Sequence, residues 1–251
     1  MKNEKCKFAR IGRRGTLFTF HELEGLETNV YVVNGPKHVF VVDTFLGPRS
    51  MEIVKRRMAS ALRRKPVVVV NTHYHWDHVW GNCAFPKTLI VAHAACREKI
   101  ARIGAKELEA YGKLKQGSVK LVVPNCTLTD KLVFEDDDVE IFHTPGHSAD
   151  SCSVYDRQDK VLFVGDNVEQ PLPYLYSKEL ETYGRTLESY LTIKSKRIIA
   201  GHCITVTPRI IRQNLEYLAA FRDGTTGKYE RGKYSQTHSQ NVRVLDRLRN
   251  K

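Results

Sequence analysis

His73-Tyr74-His75-Trp76-Asp77-His78 places four potential metal ligands within six residues of a 251-residue chain. The apolar run Val67-Val68-Val69-Val70 precedes them and Gly81 follows. Four β-branched residues in a row predict a strand buried on both faces. The stretch after it then leaves the carboxyl end of that strand, where open α/β sheets place their chemistry. Imidazole and carboxylate are ligands that zinc, iron and manganese accept. A regular helix would bring i and i+4 to one face, but these ligands alternate at 73 and 75 and then double at 77 and 78. That spacing suits a tight loop serving two places, one ion taking His73 and His75 and a second taking Asp77 and His78. The plainer alternative is a polar surface loop rich in histidine. Three histidines and an aspartate beside a buried strand favour metal.

The cluster resembles the His-x-His-x-Asp-His signature of the metallo-β-lactamase superfamily. The resemblance extends along the chain, from about residue 16 to 222. The family's other ligands come singly, each after an apolar run. Here they are His147 in Thr144-Pro145-Gly146-His147-Ser148, Asp166 in Val164-Gly165-Asp166, and His202 in Ala200-Gly201-His202. The resemblance implies an α+β fold, the four-layer αββα sandwich with metals at the sheet edge. The pattern of elements alone would give only α/β or α+β.

Length and composition are compatible with one core-bearing domain over 1–222, followed by a basic C-terminal extension over 223–251 that carries a short helix. Hydrophobic residues make up 41 %, as in a globular chain. No apolar run reaches the length of a bilayer span. The charged start Met1-Lys2-Asn3-Glu4-Lys5-Cys6-Lys7 lacks the apolar segment of a secretory signal. The six cysteines (Cys6, Cys83, Cys96, Cys126, Cys152, Cys203) show no CxxC spacing. They read as free thiols in a reducing cytoplasm. The net charge of +12 fits solvated helix faces or an anionic small-molecule substrate. The basic residues form no single block, which counts against nucleic acid as a partner.

Strands are expected at 16–22, 28–34 and 38–43, with Asp43 either beside the site or serving as a turn carboxylate. Pro48 and Ser50 open a helix to about Arg64, with Met51, Val54, Met58 and Leu62 on its inner face. Its basic end, Arg63-Arg64-Lys65, would meet the negative helix pole. A strand at 88–92, a helix at 94–113 and three short strands within 119–143 follow. The acidic run Glu135-Asp136-Asp137-Asp138 reads as a hairpin turn, because the spacing and glycine of a calcium loop are missing. Strands at 151–156 and 160–164 precede a Pro- and Tyr-rich loop at 167–177, whose Tyr174 and Tyr176 are candidate substrate contacts. Helices at 178–193 and from Thr207 to about Arg222 flank a strand at 197–200. In the extension, Val242, Leu245 and Leu248 recur every three residues. That helix could dock on the body, pair with a second copy as a homodimer, or border the substrate entrance.

Carried over residue by residue, the resemblance assigns His73, His75 and His147 to one ion. Asp77, His78 and His202 go to the other, and Asp166 bridges. It implies two divalent ions, zinc first, with iron or manganese acceptable to the same ligands. Hydroxide held between them would attack a carbonyl, with Asp77 as the catalytic residue orienting it. Cys203 reads as a small buried residue and not a nucleophile. Trp80 departs from the small residue usual in relatives and is expected to narrow the pocket. The function implied is a metal-dependent hydrolase of a small ester, thioester, lactone or related acyl compound. The alternatives are a phosphodiesterase or nuclease of the same superfamily, favoured by the charge, and a metal-bound scaffold without turnover. A glyoxalase II-like thioesterase would carry a basic clamp, and Lys228, Arg231 and Lys233 do not match it.

Overall fold

The computed structural model describes residues 5–249; Met1–Glu4, Asn250 and Lys251, at the two charged ends, lie outside the described residues. The strands β1 (Cys6–Ile11), β2 (Gly15–Leu23), β3 (Leu26–Asn34), β4 (Val39–Val42), β5 (Val67–Val70), β6 (Leu89–His93) and β7 (Cys126–Leu128) form one sheet in that order. It is antiparallel from β1 to β4 and parallel from β4 to β7. The second sheet runs β13 (Cys203–Val206), β12 (Arg197–Ala200), β11 (Val161–Phe163), β10 (Cys152–Asp156), β9 (Val139–His143), β8 (Lys131–Phe134).

Side-chain alternation in these strands produces three apolar layers. Phe40 and Val42 of β4 and Val68 and Val70 of β5 point inward with Tyr31. They meet Ile141, Val154 and Phe163 of the second sheet. The Tyr31 and Phe163 rings stack at 6.1 Å across this seam. Val39, Val41 and Val69 point outward, against α1 (Pro48–Arg57), α2 (Ala59–Leu62) and α4 (Ala94–Ala110). On the far side, Leu162, Ile198 and Ala200 receive Leu187 of α5 (Leu180–Thr192), Ile211 and Leu218 of α6 (Pro208–Arg222) and Leu245 of α7 (Ser235–Arg249). The fold is a four-layer αββα sandwich. Strands buried on both faces explain the unbroken valine runs.

Several local expectations change. The helix from Pro48 breaks at Met58, whose φ of −96° and ψ of 9° leave the helical region. The basic last turn of α1 is therefore Lys55-Arg56-Arg57. Lys65 instead donates from Nζ to Asn34 Oδ1 and the Gly35 carbonyl. The three short strands expected within 119–143 are present as β7, β8 and β9. β1 and β13 were not expected; β1 is an edge strand with four consecutive exposed residues, so it lacks the alternation of a half-buried strand. The acidic run does form the β8–β9 turn. There buried Asp137 accepts from the backbone N–H groups of Lys37 and His38, at 2.7 and 3.0 Å. No helix among the described residues is long and apolar enough to cross a membrane.

Candidate metal centre

Every sequence-predicted ligand lies at one edge of the sandwich, on a segment that follows a strand. His73 and His75 leave β5 in a loop, and Asp77 and His78 sit on α3, a single turn over Trp76–Val79. His147 follows β9, and Asp166 lies in a 3₁₀ turn after β11. His202 occupies the tight turn between β12 and β13. That turn is strapped to the first sheet, because Asn29 N donates to Gly201 O at 2.7 Å and Asn29 Nδ2 to Ala200 O at 2.9 Å.

The ring nitrogens converge. His75 Nδ1 lies 3.0 Å from His73 Nε2 and 3.1 Å from His147 Nε2. Asp166 Oδ2 lies 3.5 Å from His73 Nε2 and 3.8 Å from His147 Nε2. The same oxygen is 3.2 Å from both His78 Nε2 and His202 Nε2. Asp77 Oδ2 completes the second group, 3.5 Å from His78 Nε2 and 3.4 Å from His202 Nε2. His73, His75, His147 and Asp166 form one set able to hold an ion, and Asp77, His78 and His202 form another.

The outer nitrogens fix which inner ones carry free lone pairs. His78 Nδ1 donates to Asp43 Oδ2 at 2.8 Å, and His202 Nδ1 donates to the Glu27 carbonyl at 2.8 Å. His147 Nδ1 donates to the Tyr174 carbonyl at 3.1 Å. Thr72 Oγ1 donates to Asp43 Oδ2 at 2.8 Å and so accepts from His73 Nδ1 at 3.0 Å. Carbonyl and carboxylate oxygens only accept, so these four Nδ1 atoms bear protons, and each Nε2 is the nitrogen left to bind an ion. Two of them, on His73 and His147, face His75 Nδ1, which has at most one proton to share between them. His78 Nε2 and Asp166 Oδ1 are buried without a hydrogen-bond partner. Converging lone pairs with orphaned buried acceptors are what a cation relieves. Tetrahedral ligands about 2.1 Å from one ion stand about 3.4 Å apart, close to the separations here. The residues therefore fit divalent metal.

Electrostatics agree. Burial, then neighbouring imidazoles, hold His73 and His75 well below the ordinary histidine range. At His78 and His202 burial pulls the same way, but the Asp166 and Asp77 carboxylates outweigh it and raise both. Burial would raise Asp166, yet His202, His78 and His73 keep it well below the carboxylate range. Asp77 is likewise lowered, with His78 and His202 outweighing burial. Both carboxylates are thus ionised and stabilise positive charge between the groups. Gly201 leaves room for this, since a Cβ there would come 2.1 Å from Asp166 Oδ1.

The centre opens into a cavity of about 620 Å³ lined by Tyr74, Trp76, Tyr174 and Tyr176, with Glu24 and Glu107 also lining it. Tyr174 and Tyr176 are where the loop reading put them, and the Tyr176 ring lies 4.6 Å from the His75 ring. Trp80 is in the core, 1 % exposed, and does not narrow the cavity; Trp76, against it at 5.3 Å, forms the wall. Cys203 is half-buried, not buried, and burial raises its thiol pKa. Sequence reasoning missed Glu169, which forms a third potential set with Asp166 and His202. Its Oε2 accepts from Tyr174 N at 2.7 Å and lies 3.5 Å from His147 Nδ1. A single glutamate in a Pro-rich loop carries no spacing signal.

A sequence profile described as "Metallo-beta-lactamase superfamily" matches residues 23–202. The human protein named acyl-coenzyme A thioesterase MBLAC2 is 26 % identical over 230 residues, covering 80 % of this chain and 81 % of that protein. A Drosophila melanogaster protein named beta-lactamase-like protein 2 homolog is 25 % identical, over 70 % of this chain and 58 % of its own. Among solved structures, a metallo-beta-lactamase from Pontibacter korlensis aligns with a TM-score of 0.68 and 18 % identity, covering 85 % of this chain and 99 % of that one. That likeness concerns the fold.

Proposed function

The chain belongs to the metallo-β-lactamase superfamily and is a hydrolase, and on that premise we propose that it hydrolyses small acyl thioesters at a two-ion centre. The observation that carries the two-ion reading is Asp166 Oδ2, which lies within 3.2–3.8 Å of four histidine nitrogens from both ligand sets. His73, His75 and His147 would hold one ion, Asp77, His78 and His202 the other, and Asp166 both. Zinc suits this nitrogen- and oxygen-donor set.

When bound, the ions supply Lewis acidity that brings a water's pKa to about 7 and polarises the carbonyl. The protein does the rest. Asp77 Oδ2 stands 3.5 and 3.4 Å from His78 and His202 Nε2, where its carboxylate would orient the attacking water and accept its proton. Water oxygen bonds to the carbonyl carbon, the C–S bond breaks, and the proton passes to the departing sulfur, leaving a carboxylic acid and a thiol. Trp76, Tyr174 and Tyr176 hold the acyl part and exclude bulk water.

Thioesters stand ahead of the other acyl substrates because relatives matching most of the chain are named acyl-coenzyme A thioesterases. The cavity wall weighs against a phosphodiesterase. Among its described lining residues there is no lysine or arginine, and Glu24 would repel a polyanion. Six unbridged cysteines fit a cytoplasmic setting.

The test is hydrolysis by zinc-loaded protein of an acyl thioester and a phosphodiester side by side. The reading expects turnover of the thioester, lost by at least about 100-fold in Asp77→Ala. Turnover of the phosphodiester alone, or an unaffected Asp77→Ala, would overturn it.

A further inference from the structure

The metal cavity does not end at Tyr176. It continues into a second hollow of about 590 Å³, walled by Tyr111, Tyr176, Gln236, Gln240, Arg243 and Arg247. Tyr111, Tyr176, Gln236 and Gln240 line both hollows, so the two form one groove along α7. Gln240 Nε2 donates to Tyr176 Oη at 3.4 Å where they meet.

Helical spacing makes this wall. Residues 236, 240, 243 and 247 fall on one stripe of a 3.6-residue helix, and all four are exposed. Thr237, His238, Asn241 and Leu245 are buried on the other side. Asn241 fixes the helix to the tyrosine loop, accepting from Leu175 N at 3.0 Å and donating to Pro173 O at 2.8 Å. Arg243 and Arg247 are held beside the groove by a rigid element, and among the described residues neither is ion-paired.

The groove is polarised. Its end at the histidine cluster has acidic walls and no lysine or arginine among its described lining residues, while its far end carries two arginines one helical turn apart. At 1.5 Å per residue, Arg247 lies about 10 Å along α7 from Gln240. A ligand spanning the groove would place an uncharged reacting group at the metals and an anion at the arginines. Guanidinium groups match phosphate bidentately, more so than a point charge does.

Resting on the thioesterase reading, we infer that Arg243 and Arg247 form a subsite for the phosphate end of the leaving thiol, a phosphorylated, amide-bearing thiol of the coenzyme A kind. The acyl carbonyl would sit at the cluster of His73, His75, His147, Asp77, His78, His202 and Asp166. The thiol arm passes between Tyr176 and Tyr111, with Gln236 and Gln240 available to its amides.

The test compares wild type with the double variant R243Q/R247Q on two thioesters of the same acyl group, one of coenzyme A and one of uncharged N-acetylcysteamine. Both arginines are exposed, so the variant keeps the fold. The expected result is a KM for the coenzyme A thioester raised about tenfold or more, with kcat unchanged and both constants for the N-acetylcysteamine thioester unchanged. Equal effects on both substrates, or none, would overturn the subsite. So would a wild type that turns over only the uncharged thioester. If wild type turns over neither, the thioesterase reading fails by itself. The subsite is then decided by binding of the non-hydrolysable S-methyl thioether of coenzyme A to metal-free protein. Affinity about tenfold weaker in R243Q/R247Q supports it, and equal affinity overturns it.

Discussion

Asp43 holds two histidines from opposite ligand sets. It accepts from His78 Nδ1 directly and from Thr72 Oγ1, which in turn accepts from His73 Nδ1. Asp43→Ala should leave a buried imidazole N–H unpaired and let both rings turn. Metal affinity, measured by competition with a chelator, should fall about 10–100-fold. Unchanged affinity would make Asp43 a turn residue only. Both roles were open in the sequence, because a carboxylate ending a strand looks the same in either. Four of the seven ligand candidates were legible because they share one short stretch beside an apolar strand, and His147, Asp166 and His202 came from the family resemblance, each after an apolar run. Glu169 was not legible, since it reaches the centre through the path of a loop. Trp80 misled because it was judged by its departure from the family pattern; its ring is packed into the core, and Trp76 lines the cavity instead.

At the scale of elements, α4 begins with an uncommon cap. His93 Nδ1 accepts from Ala95 N at 3.2 Å, which requires a neutral ring nitrogen. Burial, then the His143 ring stacked at 4.0 Å, lower the His93 pKa. The folded chain therefore binds less proton here than the unfolded one. The contribution is present above about 6.5 and lost as pH falls through the lowered folded value. His93→Asn keeps an acceptor without a titration. Urea midpoints at pH 7.5 and 5.5 should show wild type losing more stability on acidification than the variant, by about 1 kcal/mol, the worth of a cap. Equal losses would remove His93 from the acid response. Valine runs made β4 and β5 readable because burial on both faces leaves an unambiguous pattern. β1 escaped notice because four of its six residues are exposed. In α7 the three-residue recurrence marked a helix that does form and docks on the body. Leu245 is buried and Leu248 partly so, while Val242 is 36 % exposed. Asn241, a polar residue, takes the inner position with its hydrogen bonds satisfied.

At the scale of the molecule, two sheets close face to face and bring ligand loops from both to one edge. Neither sheet carries a complete set. His73, His75, Asp77 and His78 follow the first, and His147, Asp166 and His202 the second. The element pattern alone left α/β and α+β open, because sequence order does not say which strands join which sheet. The family signature resolved it. The charge of +12 belongs mostly to surfaces away from the centre, whose wall has no described cation. Asp166 stands between the two halves, so the central claim is that both ion positions are needed together. The most direct measurement is titration of zinc into metal-free protein, with bound metal and thioester turnover read on the same samples. The account predicts two ions per chain and turnover reaching its maximum only as the second binds. Full turnover at one ion per chain, or no thioester turnover at two, would contradict it.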